Sequence, residues 1–148
     1  MDAVELIKQD HRHIENLFAK FLETEPESTP DDLFQQIQTA LTTHIEIEER
    51  VLYPAVRKFA PELVDLARKE HAEVRSILGE LLNNDLNEVL FESRFRELID
   101  TVNRHVQEAE EPNGILELAR RHLGAKTLSK LTIQIRTLKR RIEGKLAA

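Results

Sequence analysis

Four histidines fall one apiece on the apolar stripes of four successive amphipathic segments: His11, His44, His71 and His105. Taken singly, an inward histidine is more often a hydrogen-bonded core residue than a ligand. Four rings meeting in one core need partners that an apolar interior does not supply, and a metal satisfies all of them at once. Cysteine is absent, so such a site must be built from His and carboxylates. Glu48 stands four residues after His44, which points both side chains off one helical face. A carboxylate there can bridge two cations and offset their charge, whereas one buried without a partner would tend to protonate. The chemistry on offer is a metal site of nitrogen donors and bridging oxygen.

The second carboxylate is less direct. After His105 the chain runs through Glu108, Ala109, Glu110 and Glu111 to Pro112. The i+4 position, where His44 has Glu48, holds Ala109. Pro112 has no N–H to donate to the carbonyl of Glu108, so a local π-type widening is expected there, turning Glu110 onto the inner face. Glu110 is the expected second carboxylate ligand, with Glu108 as the alternative. His13 lies roughly 200° around its helix from His11 and is read as exposed. His122 reads as a surface residue near a helix end.

The 3–4 spacing of apolar residues predicts helices throughout. The first runs from about Asp2 to Leu22, with Asp2 and Glu5 as a capping pair and a stripe of Ile7, His11, Ile14, Phe18 and Phe21. Thr29 and Pro30 look like the N-cap and first turn of the second. Its stripe is Leu33, Ile37, Leu41, His44, Glu48 and Leu52, and Pro54 is expected to kink its end. Pro61 opens a third, with Val64, Ala67, His71, Val74, Leu78 and Leu81 inward. Asn83-Asn84-Asp85 breaks it, and Asp85 with Glu88 starts a fourth carrying Phe91, Phe95, Leu98, Val102, His105 and Ala109. A short helix over 115–123 follows. A last helix, capped by Thr127, carries Leu128, Leu131, Ile135, Leu138, Ile142 and Leu146 on one side. Short connections favour antiparallel neighbours. The predicted fold is all-α: an up-down-up-down four-helix bundle over 1–125, with an additional amphipathic helix over 126–148. The first two helices and the next two repeat the same order of ligands, a faint internal two-fold likeness.

At 148 residues one domain is expected, large enough to hide roughly 68–70% of its unfolded surface. The net charge of -6 is uneven: from Arg120 onward nine Lys/Arg face one acid, and the preceding residues carry -14. The acidic body argues against nucleic acid as a partner. The basic last helix is read as packing on that body or pairing with its copy in a homodimer, with a protein partner or an anionic membrane surface as alternatives. No run reaches the ~18 apolar residues of a membrane span, and no secretory signal is visible after Met1. With cysteine absent, the expectation is a cytoplasmic chain.

The pattern resembles the hemerythrin family, specifically the HHE cation-binding domain of bacterial hemerythrin-like proteins, over roughly residues 3–125. The likeness rests on Asp10-His11 with Ile14, His44 with Glu48-Glu49, Val51-Leu52-Tyr53-Pro54, Glu70-His71 and His105-Val106. It implies a non-haem di-iron centre with two bridging carboxylates and a position open to oxygen, nitric oxide or peroxide. The metal ligands would be His11, His44, Glu48, His71 and His105 with Glu110 or Glu108. Iron is the implied cofactor, zinc and manganese being alternatives that the donors also suit. Two departures stand out. Arg75 occupies the place of a further histidine of hemerythrin proper, and Ala109 the carboxylate position of many HHE domains. The expected function is binding or sensing of a diatomic ligand or peroxide. A peroxide- or nitric-oxide-handling oxidoreductase is the alternative, and a non-redox partner-binding module a third reading.

Overall fold

The structure, a computed structural model, describes residues 1–24, 31–83 and 86–147, the side chains of Asp31, Leu146 and Ala147 excepted. Four long helices form the bundle: α1 (Ala3–Glu23), α2 (Asp31–Ile47), α4 (Pro61–Leu81) and α5 (Glu88–Glu110). A π-helical turn, Glu48–Leu52, extends α2 into the short α3 (Tyr53–Val56). After α5 come α6 (Ile115–His122) and α7 (Ala125–Ala147). The main pairings are α1 with α2 and α4 with α5, as an up-and-down bundle requires, and α7 lies against α1, α2 and the π turn. Among the described residues no helix is long and apolar enough to cross a membrane.

Local signals behave largely as their chemistry dictates. The Asp2 carboxylate accepts from the Glu5 N–H and caps α1 (2.9 Å). The cap of α5 is Asn87, whose side chain accepts from Leu90 N–H. Thr127 does not cap α7, because the helix already starts at Ala125, with Leu128 N–H bonded to the Gly124 carbonyl. The expected caps at Thr29 and Asp85 lie outside the described residues.

The widened helix sits elsewhere than the sequence predicts. It occurs before Pro54, not before Pro112: Tyr53 N–H reaches back five residues to the Glu48 carbonyl. Both prolines deprive an upstream carbonyl of its donor. After Pro54 the chain stays helical, so the mismatch is absorbed as a π turn. At Pro112 the helix simply ends. Glu111 N–H closes on the Gln107 carbonyl, and Asn113 takes a left-handed φ of 64°. Gly114 then packs on the exposed carbonyls of α5; a Cβ there would lie 2.5 Å from the Glu108 oxygen. Gly114→Ala should therefore lower stability by about 1–3 kcal/mol, the usual cost of overpacking, and urea unfolding measures it.

Among the described residues the apolar core forms two clusters. One gathers the start of α1, the π turn, α3, α6 and α7 around Ile7, Leu52, Val56, Leu116 and Ile135. The other joins the rest of α1 with α2, α4 and α5 around Ile14, Leu41, Val74, Leu98 and Phe95. Leu128, Leu131, Ile135 and Leu138 of α7 belong to the first cluster, so the last helix buries its stripe on this same chain. Along each bundle helix the sequence passes from one cluster to the other through a histidine. His11 lies between Ile7 and Ile14, and His71 between Ala67 and Val74.

Candidate metal centre

The four histidines form a buried polar layer between these clusters; His11, His44, His71 and His105 are 0, 4, 1 and 6% exposed. Every ring turns Nε2 inward. His11 and His44 meet Nε2 to Nε2 at 3.1 Å, and His71 and His105 at 3.2 Å. Glu48, 1% exposed, stands between the pairs. Its Oε1 is 2.9 Å from His44 Nε2, 3.0 Å from His71 Nε2 and 3.1 Å from His105 Nε2. Two groups able to hold a metal ion result, His11–His44–Glu48 and Glu48–His71–His105, joined at the shared carboxylate. Glu108 and Glu110 belong to neither.

The outer edge of each ring faces a carboxylate. His11 Nδ1–H donates to Glu110 (2.7 Å), His71 Nδ1–H to Glu49 (2.7 Å) and His105 Nδ1–H to Glu70 (3.0 Å). His44 Nδ1 faces Asp10 at 3.7 Å, ion-pair range rather than a hydrogen bond. Each acid in turn meets a cation: Glu110 pairs with Arg12, Asp10 with Lys139, Glu49 with Arg75 and Glu70 with Arg104. A carboxylate on Nδ1 fixes the tautomer that leaves Nε2 free to ligate. Arg75 faces outward and grips both oxygens of Glu49 at 3.1 Å.

The internal two-fold likeness becomes concrete here. Matching His11 to His71 matches Asp10 to Glu70. Matching His44 to His105 matches Glu49 to Glu110, both at i+5, and both orient a histidine on another helix. Glu48 then matches Ala109, the one position where the carboxylate set is broken.

Whether a cation fits follows from the lone pairs. With the Nδ1 positions protonated, four Nε2 lone pairs and one carboxylate oxygen face each other at 2.9–3.2 Å. Only protons or cations reconcile them. Burial works to lower the His44 and His105 pKa values, but Glu48 outweighs it and pushes them up to about 9 and about 10. Burial, reinforced by charged His44, lowers His11 to about 4. Burial alone would raise Glu48; charged His44 and His105 hold it well below the usual range. The metal-free chain thus keeps two protons where cations fit. For a raised imidazole, the stabilising contribution is complete below the unfolded value of about 6.5 and lost as pH rises through the folded value. Metal-free protein should lose stability between about pH 7 and 10, and metal uptake near pH 7 should release protons from these two rings. Calorimetry in buffers of different ionisation enthalpy reads the proton count; zero release would contradict the assignment.

Two more groups reach the cluster. Tyr53, 1% exposed, stacks on His71 and brings its hydroxyl 3.3 Å from His71 Nε2. Burial, then Glu48, pushes its pKa well up, so the phenol stays protonated and donates inward. Beyond it lies a cavity of about 20 Å³ whose walls include Glu48, Tyr53, His105, Glu108 and Ala109. Glu108 hydrogen-bonds with Glu70, and this contact, with burial, raises it to about 7. His13 is exposed, as expected; His122 is exposed and packs on Phe59.

Comparison with known proteins agrees with this architecture. A solved hemerythrin HHE cation-binding domain-containing protein from Mycobacterium kansasii superposes with a TM-score of 0.78 at 21% identity, over 98% of this chain and 89% of that one. A protein of Nostoc sp. named DNA nickase is 28% identical over 99% of this chain, which spans 41% of that protein's length. The model of the hemerythrin HHE cation-binding domain matches residues 2–112, and the chain belongs to that family.

Proposed function

We propose that this protein holds a pair of iron ions on His11, His44, Glu48, His71 and His105, and binds or senses oxygen, nitric oxide or peroxide there. The observation that carries the reading is the convergence of the Nε2 atoms of His44, His71 and His105 on one shared, buried Glu48 oxygen, with His11 Nε2 meeting His44 Nε2 at 3.1 Å. Each half offers two imidazoles and one carboxylate, the donor set of non-haem ferrous sites that keep positions open. An iron pair, when bound, supplies redox-active cations with room for an added small ligand. The chain's own residues do the rest. The outer carboxylates orient the rings, Glu48 balances charge, and the flanking apolar clusters keep bulk water out. The cavity beside Glu48 has room for about one water, which suits a diatomic ligand or peroxide and excludes larger molecules. Glu110 and Glu108 act in this reading as supports of His11 and of the Glu70–His105 pair.

The iron-loaded chain should show a visible spectrum that changes on exposure to oxygen or nitric oxide. A loaded protein indifferent to both gases and to peroxide would sink the proposal. Peroxide turnover is the second reading, favoured by the Glu108–Glu70 pair at the cavity, which can hold a proton near neutral pH. Steady-state peroxide loss that disappears in His44→Ala would select it over simple binding. The name of the Nostoc relative would bring DNA as a substrate; the acidic body argues otherwise. Supercoiled plasmid should stay intact with loaded protein, and nicking that Glu48→Ala abolishes would overturn that part.

A further inference from the structure

The internal two-fold likeness leaves one cation unaccounted for within the bundle. Glu70, on the outer edge of His105, is met by Arg104, the residue just before that histidine. The matching position before His44 is Thr43, which carries no charge. Asp10, on the outer edge of His44, is met instead by Lys139, whose Nζ donates to Asp10 Oδ1 at 2.7 Å. Lys139 lies on α7, beyond the matched residues 2–112. The stripe of α7 holds it there, since Leu131, Ile135 and Leu138 are buried in the same cluster as Ile7 and Leu52.

We propose that Lys139 is a positioning residue for the metal centre: α7 anchors Asp10 beside His44 Nδ1 and thereby completes the His11–His44 half-site. The inference rests on the metal-binding reading above. Asp10 is the acid facing His44 Nδ1, and the distance of 3.7 Å is the longest of the four ring–carboxylate contacts. His44 Nδ1 is buried and has no hydrogen-bond partner, so this ring has the least local restraint. The carboxylate's place beside it is set by the lysine on its other oxygen. The ion pair is 40% exposed at lysine and contributes little to stability, so its effect is on where Asp10 sits. The other three ring–acid–cation sets are built within α1, α2, α4, α5 and the π turn. This one makes the last helix a part of the centre. Anything that lifts α7 would loosen one half-site and leave the other.

The test uses the full chain loaded with iron or cobalt and challenged with a chelator. Wild type should lose its two metals slowly. Lys139→Met should speed loss of one of them about tenfold or more, the usual scale for removing an outer support. The second metal should leave at the wild-type rate. Lys139→Arg should restore retention, and Lys130→Met, on the exposed face of α7, should change nothing. Equal release from Lys139→Met and wild type would overturn the proposal, as would equal acceleration of both metals. If wild type takes up no metal, the functional reading fails, and imidazole ¹⁵N NMR of the metal-free chain decides the relay. Faster solvent exchange of the His44 Nδ1 proton in Lys139→Met, with His105 unchanged, supports it; unchanged exchange overturns it.

Discussion

Glu48→Ala should abolish binding of both metals, whereas His71→Ala should empty only one half-site. The difference follows from sharing. Each half-site has three protein donors, and Glu48 is common to both. Its removal leaves two neutral imidazoles on each side and no anion among the inner donors. A loss of at least a hundredfold in affinity, about 2.8 kcal/mol, is expected for each metal. The metal-free variant should also be less stable near pH 7. His44 and His105 owe their raised pKa values first to Glu48 acting against burial. Without it, two buried imidazoles must give up their protons or stay charged without their main partner, a change of the kind that costs about 3–5 kcal/mol. Glu48→Gln separates the effects, since it keeps the volume and an acceptor oxygen but removes the charge. It should fold better than Glu48→Ala and still bind metal poorly. Metal analysis after dialysis and thermal unfolding read the two consequences.

Ala109→Glu should act with opposite signs on the metal-free and metal-loaded protein. Ala109 is the two-fold counterpart of Glu48, is 8% exposed, and lines the cavity with Glu48, Glu70 and Glu108. Without metal, a new carboxylate there crowds three others in a small space. The overpacking alone costs about 1–3 kcal/mol, and like charges add to it. With metal bound, the same group should supply the second inner carboxylate that the two-fold arrangement lacks. Chelator removal should slow by about tenfold or more, about 1.4 kcal/mol. Destabilisation in both states would show that position 109 does not face the cations.

The inner donor residues were legible because stripe position and donor position coincide. His11, His44, Glu48, His71 and His105 all sit where a 3–4 pattern places core residues, and all are buried. The supporting acids were not legible. Asp10, Glu49 and Glu70 adjoin a seam residue in sequence, so on a single helix each points about 100° away and reads as exposed. Glu49 and Glu70 bond a histidine of a neighbouring helix, and Asp10 faces His44 with its other oxygen on Lys139, contacts that only the packing shows. The signal available was the pairing of acids with seam residues in Asp10-His11, Glu48-Glu49 and Glu70-His71. Tyr53 reads as one more core aromatic in the run Val51-Leu52-Tyr53, and only its hydroxyl's proximity to His71 marks it. Glu110 meets His11 Nδ1 at the rim without the π turn that was expected in α5. The last helix was readable as amphipathic, but its lysine at the histidine layer was not, since Lys139 looks like any other cation on a basic stripe.

The proposed iron pair rests on two half-sites that share one carboxylate. Anaerobic titration of the metal-free chain with ferrous ion tests it most directly. Saturation is expected at about two equivalents per chain, with uptake of both lost in Glu48→Ala. Saturation at one equivalent, or uptake that survives loss of Glu48, would contradict it.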